Sequence, residues 1–263
     1  MTSSKIPIQN SMSESKLYLS IVIPAYNEGG RKGKEFRKNL GDIVKYLDKK
    51  EISYEVVVVS DGSKDNTVDV AREFSKVIKK LIVIDRKVNR GKWYSVREGY
   101  LKARGQFRLL TDADGATSIT NMEGFWPLMK KGEDIIIGSR DLKEARILKH
   151  QPKWKEFLGN AGNILIQFLV GLRGIEDTQC GFKVLSEKAV REIVSQLKVD
   201  RWGGDFEMLA LARKMGYKIN EVPVVWVDAG QSLVGVSGLG GYGSTLKELL
   251  QVKWRMISGQ YKY

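Results

Sequence analysis

Residues 54–60 form an almost unbroken apolar run, and this run constrains the fold more than any other stretch of the chain. Such a run is typical of a strand in a parallel sheet, because helices cover both faces of that sheet. Shorter apolar runs recur along the chain and alternate with segments of helical spacing, for example at residues 34–49. This alternation predicts an α/β fold with a doubly wound, mostly parallel sheet flanked by helices. The predicted strands cover residues 17–24, 54–60, 81–84, 107–110 and 134–140, with an edge strand at 221–227.

Polar segments follow four of the predicted strands. Because the carboxyl ends of parallel strands meet at one edge of a sheet, we expect these segments to line a single cleft. The most specific of them is Asp112-Ala113-Asp114, in which two carboxylates stand one residue apart before Gly115. Such carboxylates suit Mg²⁺ or Mn²⁺ shared with substrate phosphates, although the segment alone is equally compatible with a simple polar turn. The four segments are residues 24–28, 61–63, 89–92 and 112–114.

The charge balance and the scarcity of two residue types narrow the chemistry. Lys and Arg number 44 against 31 Asp and Glu, a net charge of +13, which favours anionic partners such as nucleic acid, acidic lipid or a phosphorylated substrate. The single histidine, His150, and the single cysteine, Cys180, exclude a histidine cluster, an internal disulfide and a cysteine-based zinc site. Catalysis would therefore depend on carboxylates, Arg, Lys and a bound metal. No nucleic-acid-binding module is present in the sequence, and the acidic strand ends disfavour nucleic acid as the partner.

We interpret the chain as one central domain with two flanking segments. Residues 1–16 are Ser-rich and polar and lack the apolar core of a signal peptide, so we expect a disordered leader. Residues 17–228 form the domain, and residues 229–263 combine a mobile glycine-rich loop at 230–243 with an amphipathic helix that packs on the domain or on a membrane. No stretch approaches the roughly 20 apolar residues of a membrane span. The basic helices at 153–172 and near the C-terminus predict peripheral attachment instead, because each Lys or Arg adds roughly 1 kcal/mol near anionic lipid.

Taken together, the four polar segments resemble the nucleotide-sugar-binding half of the inverting family 2 glycosyltransferases, which have the Rossmann-like GT-A fold. Three later motifs lie at residues 138–140, 177–183 and 201–207. They resemble the branch that contains the dolichyl-phosphate β-glucosyltransferases and other polyprenyl-phosphate glycosyltransferases. The resemblance covers about residues 17–228, with a weaker similarity in the C-terminal helix.

The resemblance implies a metal-dependent enzyme that moves glucose from UDP-glucose to dolichyl or another polyprenyl phosphate. It implies a peripheral protein at the cytoplasmic face of a membrane, or a cytoplasmic one. Asp114 and Gln179 would hold Mg²⁺ or Mn²⁺, and Lys92 would approach the donor pyrophosphate. Asp205 and Glu207 would lie beside the sugar and the acceptor, and either is the candidate general base for an alcohol acceptor. A phosphate acceptor needs no such base, because its second pKa is about 6 and it is largely ionised near neutral pH.

The residues implied by the resemblance fall into three groups. The catalytic group is Asp112, Asp114, Arg140, Asp205 and Glu207. The donor-binding group is Pro24, Ala25, Tyr26, Glu28, Asp61, Lys92, Asp112, Ala113 and Asp114. The acceptor phosphate would be bound by Arg140, Arg146, Lys149 and Arg201.

Three departures from the family pattern keep other functions open, and one of them is the glycine-rich loop at 230–243, where the family has a basic segment. Trp93 and Tyr94 follow Lys92 where the family has small residues, so these rings either narrow the donor pocket or pack beneath it. Gly203 and Gly204 stand where a larger residue is common. The alternatives are another nucleotide sugar such as GDP-mannose, a non-lipid acceptor, or a catalytically inactive glycosyltransferase-like binding module. The sequence does not indicate an oligomeric state.

Overall fold

A computed structural model describes residues 17–30, 33–149, 153–227 and 239–263 of the chain. The strands of its central sheet are β1 (Leu19–Ala25), β2 (Tyr54–Asp61), β3 (Leu81–Arg86), β4 (Phe107–Leu110), β5 (Ile135–Ser139), β7 (Lys183–Ser186) and β8 (Ile219–Pro223). In space they follow the order β3-β2-β1-β4-β7-β5-β8.

Strands β1 to β4 run parallel to one another. β1 pairs with β2 on one side, where Ile23 is opposite Val58, and with β4 on the other, where Ile21 is opposite Leu109. β3 extends the same parallel arrangement beyond β2. The exception is β7, which is antiparallel to both β4 and β5. The prediction of a mostly parallel sheet is therefore confirmed, and the four strands that precede the polar segments end at one edge.

Helices cover both faces of the sheet, as the apolar run in β2 predicts. Val56 and Val58 belong to one hydrophobic core, whereas Val57 and Val59 belong to the other, because successive side chains of a strand point to opposite faces. The helices are α1 (Gly33–Asp48), α2 (Thr67–Glu73), α3 (Lys92–Lys102), α4 (Met122–Lys130), α5 (Lys153–Leu169), α6 (Glu187–Glu192), α7 (Gly204–Lys214) and α8 (Leu239–Ile257).

The predicted edge strand at 221–227 is wrong in one respect, because the structure divides it into two strands. β8 closes the edge of the main sheet and ends at Pro223. β9 (Val225–Val227) pairs instead with β6 (Arg146–Lys149) in a separate two-stranded sheet. Proline has no N–H to donate to a sheet ladder, so the chain leaves the main sheet at the position where a donor is missing.

The C-terminal segment also differs from its prediction. Residues 230–238 of the expected glycine-rich loop lie outside the described residues, as do the leader at 1–16 and His150. Residues 239–243 were expected in that loop, but they form the first turn of α8. The amphipathic C-terminal helix itself is confirmed. None of the helices in the described part of the chain combines the length and the apolar character needed to cross a bilayer.

Candidate active site

Hydrogen bonds join the segment that follows β1 to the segment that follows β2, and together the two form one wall of the cleft. The N–H of Glu28 donates to Thr67 Oγ1 at 2.9 Å, and the N–H of Gly30 donates to Asp65 Oδ2 at 2.7 Å. Asn27 has a φ of 53° and accepts from the N–H of Lys64 at 2.8 Å. The hydroxyl and the N–H of Thr67 also donate to the carboxylate of Asp65. Burial alone would raise the pKa of Asp65, but these hydroxyl and backbone donors outweigh it and lower the pKa.

The predicted donor-binding residues of β1 lie in this wall. Pro24 and Ala25 are buried at the end of the strand, Glu28 is buried in the loop, and Tyr26 is half-buried between them. The structure therefore brings them to the sheet edge where the other polar segments end. Their contacts with a nucleotide stay a prediction.

Asp61, at the end of β2, organises the loop that follows β3. Its carboxylate accepts from the N–H groups of Arg90 at 2.8 Å and Gly91 at 2.7 Å, and from Arg86 Nη2 at 2.7 Å. Gly91 has a φ of 111°, and a Cβ there would lie 2.4 Å from the carbonyl oxygen of Asp200, so only glycine fits. In this structure both carboxylate oxygens of Asp61 are engaged within the protein. Its predicted role in binding the donor stays a prediction.

The Asp112-Ala113-Asp114 turn follows β4 and faces the first residue of α3. Asp112 Oδ1 lies 2.7 Å from Lys92 Nζ, and Asn39 Nδ2 donates to the carbonyl oxygens of Asp112 at 3.0 Å and Ala113 at 3.2 Å, fixing the turn. Burial alone would lower the pKa of Lys92, but Asp112, Asp205 and Asp114 outweigh it and raise the pKa. The amine of Lys92 is thus held as an ammonium among carboxylates.

The segment that leads into β7 packs against the Asp112-Ala113-Asp114 turn. A Cβ on Gly181 would lie 2.1 Å from Asp112 Oδ2, so the backbone of residue 181 packs directly on that carboxylate. Gln179 lies two residues earlier, and its side-chain nitrogen is buried with no hydrogen-bond partner among the described residues. Cys180 is buried between them, as a small packing residue would be.

These residues fit a cation that shares its coordination with a ligand. Within the described residues, no three His, Cys, Asp or Glu side chains converge on one point. A divalent ion here would therefore take most of its oxygen ligands from phosphates and water, as Mg²⁺ usually does. Asp114, half-buried in the turn, supplies a carboxylate. The unpartnered side-chain nitrogen of Gln179 can donate a hydrogen bond to a phosphate oxygen of a bound group.

Arg140, at the end of β5, forms a bidentate ion pair with Asp177. Arg140 Nε and Nη2 donate to the Asp177 carboxylate at 2.6 and 3.0 Å, and the ring of Trp226 lies 5.7 Å away. Although burial opposes the shift, the charge and hydrogen bonds of Arg140 lower the pKa of Asp177 to about 2. The Arg140 side chain remains 29% exposed, so it can meet an anion. Of the other predicted acceptor cations, Arg146 and Arg201 are exposed, and the side chain of Lys149 lies outside the description.

The two candidate bases on α7 are both buried and hydrogen-bonded within the protein. Asp205 Oδ1 accepts from Lys183 Nζ at 2.6 Å, and Asp205 Oδ2 accepts from the indole Nε1 of Trp93 at 2.7 Å. Glu207 accepts from the N–H groups of Lys198 at 3.0 Å and Val199 at 2.9 Å. It also accepts from the hydroxyl of Tyr261. Burial raises the pKa of Glu207 in spite of these donors.

Sequence reasoning did not assign four residues that the structure places at or under the site. Lys183 is completely buried beside Asp205, and Trp93 packs beneath the cleft instead of narrowing it. The rings of Trp202 and Trp226 are half-buried under two site cations, with Lys92 Nζ 5.8 Å from the Trp202 ring centre. The signal that could have found Lys183 is its place at the end of the 177–183 motif.

Comparisons with known proteins show which family the chain belongs to. The model of the family described as glycosyl transferase family 2 matches residues 20–194. A dolichyl-phosphate beta-glucosyltransferase of Trichomonas vaginalis is 37% identical over 245 residues, which are 89% of this chain and 73% of that protein. The dolichyl-phosphate beta-glucosyltransferase of Homo sapiens is 33% identical over 261 residues, 93% of this chain and 77% of that protein.

Solved structures support the fold independently. The crystal structure of glucosyl-3-phosphoglycerate synthase from Mycobacterium tuberculosis, in complex with Mn²⁺, UDP-glucose and phosphoglyceric acid, superposes with a TM-score of 0.64 at 15% identity. The match covers 90% of this chain and 78% of that one. At this identity the likeness concerns the fold, which is GT-A. The chain therefore belongs to glycosyl transferase family 2 and is a glycosyltransferase.

Proposed function

We propose that this glycosyltransferase transfers glucose from UDP-glucose to the phosphate group of dolichol or a related polyprenol. The observation that carries the proposal is the similarity to dolichyl-phosphate beta-glucosyltransferases, which reaches 37% identity over 245 residues. That similarity spans both the donor side of the cleft and the segments that hold Arg140 and Asp205. A fold neighbour crystallised with Mn²⁺ and UDP-glucose supports the choice of donor.

The donor diphosphate would bind where the Asp112-Ala113-Asp114 turn meets α3. Asp114, with Gln179, would hold Mg²⁺ or Mn²⁺, and this ion would stabilise the charge on the departing diphosphate. Lys92 would bring a second positive charge from α3, because its ammonium already lies 2.7 Å from Asp112. Asp112 would position that ammonium and contact the donor.

The acceptor phosphate would bind on the other side of the sugar, against Arg140. Because two hydrogen bonds to Asp177 fix the guanidinium of Arg140, the orientation of this planar group is defined. Arg146, Lys149 and Arg201 would add positive charge around it. Such cations bring a second anion to a site that already holds a diphosphate, and an ionised phosphate can attack without a protein base.

A polyprenyl phosphate lies in a membrane, and one face of the protein suits contact with acidic lipid. Exposed apolar side chains follow one another along α8, and further exposed apolar side chains lie on α5, which packs against it. Lys247 and Lys253 lie on α8 among these apolar positions, so the face combines apolar and cationic groups. We call it the membrane face, and we infer that the protein attaches peripherally through it at the cytoplasmic side of a membrane. The apolar residues of the membrane face are Ile164, Leu165, Phe168, Leu246, Leu250, Trp254 and Ile257.

Equilibrium binding of nucleotide sugars tests the donor assignment without an acceptor. UDP-glucose should bind in the presence of Mn²⁺, and binding should weaken strongly in its absence or in Asp114→Asn. GDP-mannose should bind at least tenfold more weakly. Tighter binding of GDP-mannose would overturn the assignment of UDP-glucose, and metal-independent binding of UDP-glucose would overturn the assignment of the ion.

A further inference from the structure

We infer that Glu248, on α8, is a positioning residue for the acceptor side of the site, because it fixes the backbone beside Arg201. Arg201 belongs to residues 198–203, which lead into α7 and which we call the 198–203 segment. This residue is assigned to the acceptor phosphate by the proposed function, on which the inference rests. Glu248 lies outside all the motifs that carry the resemblance to the family.

Glu248 supplies the hydrogen-bond acceptor that the start of α7 lacks. The N–H groups at the start of a helix have no partner within the helix, and the side chain of the N-cap residue commonly accepts from them. The N-cap residue of α7 is Gly203, which has no side chain. Instead, Glu248 Oε2 accepts from the N–H groups of Trp202 at 3.2 Å and Gly203 at 2.8 Å. The helix dipole of α7 also favours a carboxylate at this end.

The close approach of α8 to this helix end depends on glycine at position 203. A Cβ there would lie 2.5 Å from Phe206 Cζ and 3.1 Å from Glu248 Cβ. Since Phe206 is completely buried, a larger residue at position 203 would clash with its ring and crowd the side chain of Glu248. The departure from the family pattern at Gly203 therefore makes room for the carboxylate that α8 brings.

The middle of the 198–203 segment is bonded to α3. The N–H of Tyr94 donates to the carbonyl oxygen of Asp200 at 2.9 Å, and the N–H of Trp93 donates to that of Arg201 at 3.2 Å. Arg97 Nη2 donates to the carboxylate of Asp200 at 2.8 Å. These bonds do not involve α8. Loss of the Glu248 carboxylate should therefore loosen residues 202–203 and displace the adjacent Arg201 side chain, while the start of α3 stays in place.

Glu207 has a corresponding role at the beginning of the 198–203 segment. Its carboxylate accepts from the N–H groups of Lys198 and Val199, and from the hydroxyl of Tyr261. The side chain of Glu207 has no exposed surface. A general base must reach a proton on the substrate. Glu207 is therefore a second positioning residue, which agrees with a phosphate acceptor that is already anionic.

Helix α8 connects the 198–203 segment to the membrane face. Leu246, Leu250 and Trp254 are exposed on this helix, whereas Leu249 is buried and Glu248 is half-buried. The helix that would contact the lipid thus also fixes the backbone beside a cation for the lipid phosphate. We therefore expect Glu248 to affect binding of the polyprenyl phosphate more than binding of UDP-glucose.

Amide hydrogen exchange tests the contact without any substrate. In Glu248→Met the amides of Trp202 and Gly203 should exchange about tenfold faster or more, because each loses a hydrogen bond to a charged group. Glu248→Gln keeps a side-chain oxygen and should stay within about threefold of the wild-type rate. Glu248→Asp shortens the side chain and should also exchange faster, which keeps the test informative if Glu248→Met does not fold. Unchanged exchange in the Met and Asp variants would overturn the inference.

Steady-state kinetics then separate positioning from a general loss of stability. In Glu248→Met the KM for a short polyprenyl phosphate should rise about fivefold or more, while kcat and the KM for UDP-glucose change less than about twofold. Glu248→Gln should restore the wild-type KM. Equal increases in the two KM values, or a large fall in kcat at an unchanged KM for the acceptor, would overturn the inference.

The matched control is Glu123→Met, which makes the same change on α4. Its carboxylate accepts from the Tyr46 hydroxyl at 2.9 Å, and both KM values should stay at their wild-type levels in this variant. An increase in the KM for the acceptor equal to that of Glu248→Met would also overturn the inference. If the wild type does not use a polyprenyl phosphate, the proposed function fails, and the exchange rates still decide whether Glu248 fixes the 198–203 segment.

Discussion

The indole ring of Trp93 lies so close to the Cα of Gly204 that a methyl group at position 204 would come within 2.2 Å of the ring. Two departures from the family pattern, a bulky residue in α3 and a small one at the start of α7, are therefore two sides of one contact. Since Trp93 is completely buried, its ring packs in the core beneath the cleft and is not part of the exposed donor side. This placement removes Trp93 as a reason for regarding the chain as an inactive binding module.

Gly204→Ala should destabilise the protein by about 1–3 kcal/mol, because the added methyl group overpacks the core against a ring that has no room to move. Urea denaturation measures the change. The control is Gly41→Ala in α1, where an added Cβ has open space around it. It should be neutral or stabilise by up to about 1 kcal/mol, as expected for a helix interior. Equal effects of the two substitutions would contradict the tight contact.

Lys183→Met should cost about 3–5 kcal/mol, because it leaves the buried carboxylate of Asp205 without its charged partner. A surface lysine provides the comparison. Lys218 pairs with Glu133 at 2.9 Å but is 70% exposed, so Lys218→Met should change stability by less than about 1 kcal/mol. Lys183→Met combined with Asp205→Asn should recover part of the loss. A Lys183→Met variant as stable as Lys218→Met would show that the ion pair does not form.

The Arg140–Asp177 pair predicts a loss of stability in acid. The pKa of Asp177 falls from 3.8 to about 2 on folding, so the native state binds this proton less readily than the unfolded state does. The resulting stabilisation, about 2 kcal/mol, is complete above about pH 4 and disappears as the pH falls through 2. Asp177→Asn should remove this part of the acid dependence, as measured by denaturation between pH 6 and pH 2. An identical acid dependence in the variant and the wild type would contradict the pair.

Flotation with liposomes tests the membrane face of α5 and α8. Trp254 is 61% exposed on α8, and Trp254→Glu should lower binding to vesicles that contain anionic lipid by about fivefold or more, because it adds a negative charge where apolar area would be buried. Leu101→Glu changes an exposed apolar residue on α3 instead and should bind as the wild type does. Binding that does not depend on anionic lipid, or that falls equally in both variants, would show that this face is not the contact.

Much of the donor side was predictable because it depends on local patterns. An apolar run that breaks into Asp112 and Asp114 marks the end of a buried strand, and parallel strands bring such ends to one edge. The helical spacing that includes Phe36 and Leu40 likewise predicted which face of α1 is buried. These patterns lie within a few residues of one another, so a single sequence displays them.

The remainder depends on contacts between distant parts of the chain. Trp93 and Asp205 are 112 residues apart, and no local pattern reports that an indole will meet a carboxylate. The direction of β7 is decided by its neighbours β4 and β5, since a strand of four residues has the same pattern in either direction. Glu207 was predicted to be catalytic because it belongs to the 201–207 motif, which resembles a segment of the family. Its partners on residues 198–199 became visible only when the loop before α7 was placed.

The central claim is most directly tested by the release of UDP from UDP-glucose in the presence of Mn²⁺, with and without a short polyprenyl phosphate. We predict that release requires the polyprenyl phosphate, that a glucosylated lipid phosphate accumulates in equal amount, and that Asp114→Ala lowers the rate about a hundredfold or more. UDP-glucose that binds but is never turned over with this acceptor, or turnover that Asp114→Ala leaves unchanged, would contradict the account.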